Sequence, residues 1–167
     1  MDAEHLKILI DKCKAGQAGA FDTLIALYSE RCFGFFYRLC GHRQTAEDLL
    51  SDLFIKLVEK IGSWEGGSFD SWIFTIASNL FKDHLRSDYR KKRLLQEKTE
   101  QILTEQDASE HRNDMEDKLH QALKRMEPET AELIMLRFYA DLSFKEIARK
   151  RNEPVGTTLC KMHRGLK

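Results

Sequence analysis

The sequence predicts an all-α protein: two small helical domains joined by a flexible linker, the C-terminal one a helix-turn-helix. Three observations carry this. The 167 residues include only 9 Gly and 2 Pro, few breakers for such a length. Apolar residues recur at helical spacing through both ends of the chain. From about 96 to 113 that pattern fades into charged and amide side chains. Composition removes other classes: 42% apolar is too much for a disordered chain, and 32% charged is too much for a membrane protein. No apolar run approaches a bilayer span, so no membrane insertion is expected.

The elements follow in order. A short helix is expected near 3–14, then a long one along Phe21, Leu24, Ile25, Tyr28, Cys32, Phe35, Phe36 and Leu39. Leu49, Leu50, Leu53, Phe54, Leu57, Val58 and Ile61 mark one broad buried face of the next helix. Thr45 suits its N-cap, with Asp48 favouring the positive helix end. Gly62-Ser63-Trp64-Glu65-Gly66-Gly67-Ser68 is the clearest loop. Trp72, Ile73, Ile76, Ala77, Leu80, Phe81, His84 and Leu85 resume the helical rhythm. Four helices with this many aromatics can bury their own core, which sets a first domain at 1–95. The linker is 96–113.

A second domain, 114–167, begins with Met115, Leu119, Ala122, Leu123 and Met126. Pro128 suits the first turn of a helix through Leu133, Ile134, Leu136 and Phe138. Ser143 and Glu146 form a capping box opening a short helix that ends near Arg151-Asn152. Pro154 begins the last helix. Two short helices across a tight turn make the helix-turn-helix pattern.

Charge is segregated beneath a net of zero. Over 82–98 seven cations face three anions, over 99–117 one faces seven, and over 137–167 eight face three. Either basic run alone reads as a solvated helix face. Two runs, each beside a candidate recognition element, point instead to nucleic acid, since clustered cations release counterions from phosphate.

Other chemistry finds little support. Cys40 with His42 and Cys160 with His163 do not supply the four ligands of a structural zinc. No Walker, HExxH, GxGxxG or nucleophile-elbow pattern occurs, and the carboxylates are dispersed. No enzyme, metal or cofactor is expected. The start, Met1-Asp2-Ala3-Glu4-His5, lacks a signal-peptide pattern, so a cytoplasmic protein with free thiols at Cys13, Cys32, Cys40 and Cys160 is expected.

Ala46-Glu47-Asp48-Leu49-Leu50-Ser51-Asp52-Leu53-Phe54, then Phe69-x-x-Trp72-Ile73-x-x-Ile76-Ala77-x-Asn79 and Asp83-x-x-Arg86, resembles region 2 of bacterial sigma factors. Leu142-Ser143-Phe144-Lys145-Glu146-Ile147-Ala148 followed by Gly156-Thr157 resembles region 4, and nothing between them resembles region 3. This layout is similar to the extracytoplasmic-function (group IV) sigma factors. The resemblance implies a non-catalytic subunit that binds core RNA polymerase, directs it to promoter DNA and helps open the duplex. It also implies an anti-sigma factor covering the polymerase-facing surfaces of both domains.

The resemblance assigns roles residue by residue. Asp48, Leu49, Asp52, Phe54 and Lys56 would meet the largest polymerase subunit, although most leucines there could equally be core. Ser63 and Trp64 in the loop, with Asn79, Lys82, Arg86, Arg90 and Arg93, would read the −10 element as single-stranded DNA. Trp64 could stack on a base or pack over the core end. In region 4, Thr157, Thr158, Leu159, Lys161 and Arg164 would face the −35 element in the major groove. Lys145, Arg149 and Lys150 would anchor phosphates. Leu159 stands where the family often has a cation; it could touch a thymine methyl or join Val155, Met162 and Leu166 in the core. The whole reading requires the two cationic ends to stand apart when DNA is engaged. The alternative is a helix-turn-helix regulator that acts without being a polymerase subunit.

Overall fold

The computed structural model describes residues 3–96 and 114–166, and every regular element among them is helical. In chain order these are α1 (Ala3–Lys14), α2 (Ala20–Cys40), α3 (Arg43–Lys60), a 3₁₀ turn (Ile61–Ser63) and α4 (Phe69–Gln96). Then come α5 (Asp114–Arg125), α6 (Pro128–Ile134) with a π turn (Met135–Tyr139), α7 (Phe144–Arg151) and α8 (Val155–Gly165). The expected linker lies outside the described residues except for Gln96, the last residue of α4.

Gly41 sets the geometry of the first domain. At φ 79° it takes the left-handed conformation that ends α2, and its N–H donates to the Tyr37 carbonyl at 2.9 Å. The chain reverses there, so α3 packs along α2 and α4 closes on both. α3 therefore starts at Arg43, with His42 extended before it, and Thr45 lies inside the first turn and not at the N-cap. Arg43–Glu47 at 2.8 Å and Gln44–Asp48 at 3.0 Å tie that turn by i, i+4 pairs.

The core is the apolar stripe of each helix meeting the others. Leu24, Tyr28, Cys32, Phe35 and Phe36 of α2 meet Leu49, Leu53 and Leu57 of α3 and Ile73, Phe74, Ala77 and Phe81 of α4. Phe35 meets Phe74 edge-on at 5.4 Å, and Tyr28 meets Phe69 likewise at 5.3 Å. Truncating a fully enclosed side chain such as Leu53 to Ala costs about 2–5 kcal/mol. Val58, expected on this face, is instead 51% exposed. The i, i+4 ladder of Leu49, Leu53, Leu57 and Ile61 already fills the contact, and Val58 falls one helical step beyond it.

In the second domain α6 buries Ala131 to Ile134, and α7 and α8 cover it with Ile147, Ala148 and Met162. Both halves of the Ser143–Glu146 capping box are present. Asn152, left-handed at φ 52°, closes α7 and turns the chain into α8. Phe138, on the apolar run expected for this helix, is 65% exposed. The wider π turn shifts the helical phase by one residue, so Leu136 stays inside while Phe138 faces out.

The two domains touch. α5 and α6 lie against α2. Glu132 of α6, wholly buried, accepts a hydrogen bond from Ser78 of α4 and pairs with Lys82 at 3.1 Å. Tyr139 packs on the Gly34 backbone of α2 beneath the Arg38 guanidinium, 4.7 Å from its ring centroid.

Candidate nucleic-acid interface

α4 carries the first cationic surface. Positions 79, 82, 86, 90 and 93 are spaced by three or four residues and so share one helix face. Asn79, Arg86, Arg90 and Arg93 are exposed there. Arg86 meets Asp83 at 3.0 Å with both side chains in solvent, a pairing too weak to keep the guanidinium from phosphate. Lys82 differs: it is half-buried and held by Glu132. Tyr89, amid the cations, is 78% exposed and offers a ring on which a base could stack. Sequence reasoning missed it, although an aromatic inside a basic run was the available signal.

The loop before α4 divides. Ser63 is exposed, its hydroxyl donating to the Lys60 carbonyl at 2.7 Å. Trp64 is buried, which corrects its expected place among the bases. Its ring meets Phe69 edge-on at 5.7 Å and lies 5.3 Å from the Lys14 ammonium, which also donates to its carbonyl. The packing reading of Trp64 therefore holds.

α3 offers a second surface. Asp48 and Asp52 are exposed, Lys56 reaches Glu59 at 3.9 Å, and Phe54 is half-buried against the core. Leu49 is core, so its expected contact with a partner is corrected. Ile55 is 57% exposed and joins Val58 between the acidic positions. Neither was assigned to a partner from the sequence: Val58 reads as core there, and Ile55 was not singled out.

In the helix-turn-helix, Lys145 and Arg149 of α7 and Thr157 and Arg164 of α8 are exposed. Leu159 is 45% exposed, so it is not enclosed in the core with Met162. Cys160, exposed between Thr157 and Arg164, is a further outward residue that sequence reasoning passed over. Thr158 is fully buried and donates to Glu153 at 2.8 Å, so it cannot meet bases. Lys161 is tied to the same carboxylate at 2.6 Å. Burial pushes the Glu153 carboxyl up, but bonds from Lys161 and Thr158 and the charge of Arg151 outweigh it and hold it below its ordinary value. Thr158 and Lys161 thus brace α8 against the turn. Lys150 is corrected too: it points inward to Glu132 at 3.1 Å, and burial lowers its ammonium to about 8 against the opposing pull of that carboxylate.

Among the described residues no helix is long and apolar enough to cross a membrane. Residues 24–91 match the family model for Sigma-70 region 2, and residues 116–167 match that for Sigma-70 region 4. The chain is 31% identical to the ECF RNA polymerase sigma factor BldN of Streptomyces coelicolor, over 99% of this chain and 65% of that protein. It is 29% identical to the ECF RNA polymerase sigma factor SigE of Mycolicibacterium smegmatis, over 87% of this chain and 58% of that one. It therefore spans only about two thirds or less of the length of these relatives. In fold it is similar to the sigma factor RpoE of Bartonella quintana, solved with the anti-sigma factor NepR, with TM-score 0.71 and 23% identity over 89% of this chain and 92% of the other.

Proposed function

The chain belongs to the sigma-70 family, with relatives in its extracytoplasmic-function group, and from that premise we propose that it binds core RNA polymerase and directs promoter-specific initiation. The observation that carries this reading is the presence of two outward cationic elements on two different helical scaffolds. α4 presents a long stripe of Arg with an exposed amide and an exposed ring, suited to an unpaired strand. α8 presents the first turns of a helix-turn-helix recognition helix, suited to duplex.

The proposed division of labour follows exposure. Asp48, Asp52 and Lys56, together with Ile55 and Val58, form the polymerase-facing surface, while Leu49 and Leu53 hold α3 in place. Ser63, Asn79, Arg86, Arg90 and Arg93 take the −10 strand, Arg side chains on phosphate and Asn79 on a base edge or phosphate. Thr157, Leu159, Cys160 and Arg164 face the −35 base pairs, Leu159 against a thymine methyl, with Lys145 and Arg149 on flanking phosphates. The role is non-catalytic and cytoplasmic. An anti-sigma factor is proposed as a further partner, supported by the likeness to a sigma factor solved with one.

Reconstitution tests the reading. The purified chain should co-elute with core polymerase and give run-off transcripts from a restricted set of fragments in a genomic library. Failure to co-elute, or a holoenzyme that initiates nowhere, overturns it. Tight operator binding by the chain alone, without polymerase-dependent initiation, would favour the helix-turn-helix regulator instead.

A further inference from the structure

Glu153 stands in the turn between α7 and α8 and grips both helices. Its carboxylate meets Arg151, the last residue of α7, at 3.4 Å, accepts from the Thr158 hydroxyl at 2.8 Å and pairs with Lys161 at 2.6 Å. The Arg151 guanidinium is itself fixed. Its side chain is only 5% exposed and also reaches Glu129 at 3.1 Å and Glu132 at 3.5 Å, both on α6. Glu153 thereby ties the body of the domain to the first two turns of α8. The far end of α8 is held by shape: a Cβ on Gly165 would collide with the Thr130 side chain, so the helix lies close on α6 there. Between these fixings α6 and α8 stand apart around an open cleft of about 440 Å³, with Met126, Glu129 and Thr130 on one wall and Lys161 and Arg164 on the other. Lys161 falls four residues after Thr157 and three before Arg164, on one helix face with them. An untied ammonium there would reach phosphate.

We infer that Glu153 is a positioning residue for the −35 contact: it holds α8 at the tilt that presents Thr157, Leu159 and Arg164 to base pairs, with Lys161 as a strut and not as a phosphate contact. The inference rests on the proposed base-reading role of α8 and adds what sets its geometry. Base contacts are directional, so a helix that rocks loses discrimination between sequences. A phosphate contact instead adds affinity to every sequence alike. The two roles for Lys161 therefore leave opposite traces.

The test uses the full chain without polymerase. Selection from a randomised duplex library gives its preferred sequence. Fluorescence anisotropy then compares that duplex with a scrambled one across a salt titration, and far-UV circular dichroism verifies that each variant is folded. Lys161→Ala is expected to lower the preference for the selected duplex about fivefold while leaving the log–log salt slope as in the parent. Glu153→Gln keeps an oxygen for Thr158 but drops the charge that holds Lys161. It is expected to lose preference to the same degree and to steepen the slope by about 0.9, the one phosphate contact that the released ammonium gains. Changing both residues should return the slope to that of the parent. A Lys161→Ala slope shallower by about 0.9, with preference kept, is the trace of a phosphate contact and overturns the inference. So does a folded Glu153→Gln chain that matches the parent in both readings. Lys161 is partly exposed, so its variant decides the matter even where Glu153→Gln unfolds. If the parent enriches no sequence, the base-reading role of α8 falls and the inference with it. Failure of run-off transcription alone would count against the sigma reading and leave the strut standing.

Discussion

Single side chains separate those proposed to face DNA from those that brace the scaffold. Arg86 is free on the α4 surface apart from a weak pair with Asp83. Arg86→Ala is expected to lower open-complex yield and to reduce the salt dependence of single-strand binding by about 0.7 in log–log slope, the loss of one phosphate contact. A salt titration of open-complex formation that superimposes on the parent would contradict this. Thr158 sits at the opposite extreme. Thr158→Val should cost about 1–2 kcal/mol in urea unfolding, because Glu153 loses a buried donor. The Glu153 carboxyl lies below its ordinary value in the folded state, so its contribution is whole above the ordinary carboxylate range and fades as pH falls below it. The gap between parent and variant should therefore narrow from about pH 7 toward about pH 3. A gap that stays constant would remove Glu153 as its cause.

At the level of helices, α3 and α7 carry the clearest expectations. Ile55→Asp and Val58→Asp place charge on exposed positions, so thermal unfolding should change by less than about 0.5 kcal/mol. Co-elution with core polymerase should be lost. A variant that melts early or still co-elutes would take these residues off the proposed interface. Ser143→Ala removes the capping box of α7 and should cost about 1 kcal/mol, read by thermal denaturation. Much of this architecture was legible in the chain. Pro128, the Ser143–Glu146 box and the glycine-rich loop named real boundaries because each acts through its neighbours in sequence. What escaped depended on contacts made at a distance. Thr45 lost the N-cap to the reversal at Gly41, and Phe138 was turned outward by a π turn. Trp64 and Thr158 were enclosed by Phe69 and Glu153, pairings that periodicity does not encode. Val58 shows the converse: a helix packed against α2 and α4 still has one side left over, and an apolar residue at its edge looks like core until the partners are placed.

Across the whole molecule, the described contacts place the two domains together through Glu132 and Tyr139, whereas the proposed promoter recognition needs their cationic elements on DNA at two separate places. The contact was invisible in the sequence, where Glu132 is one acidic residue on a short helix. The most direct measurement of the central claim is a footprint of the reconstituted holoenzyme on one transcribed fragment, probing unpaired thymines with permanganate and duplex protection with a nuclease. The account predicts reactive thymines at the −10 element and, on the same molecules, protection at the −35 element that disappears when Arg149 and Arg164 are both changed to Ala. Reactive thymines with no −35 protection, or protection that survives that double substitution, would contradict it.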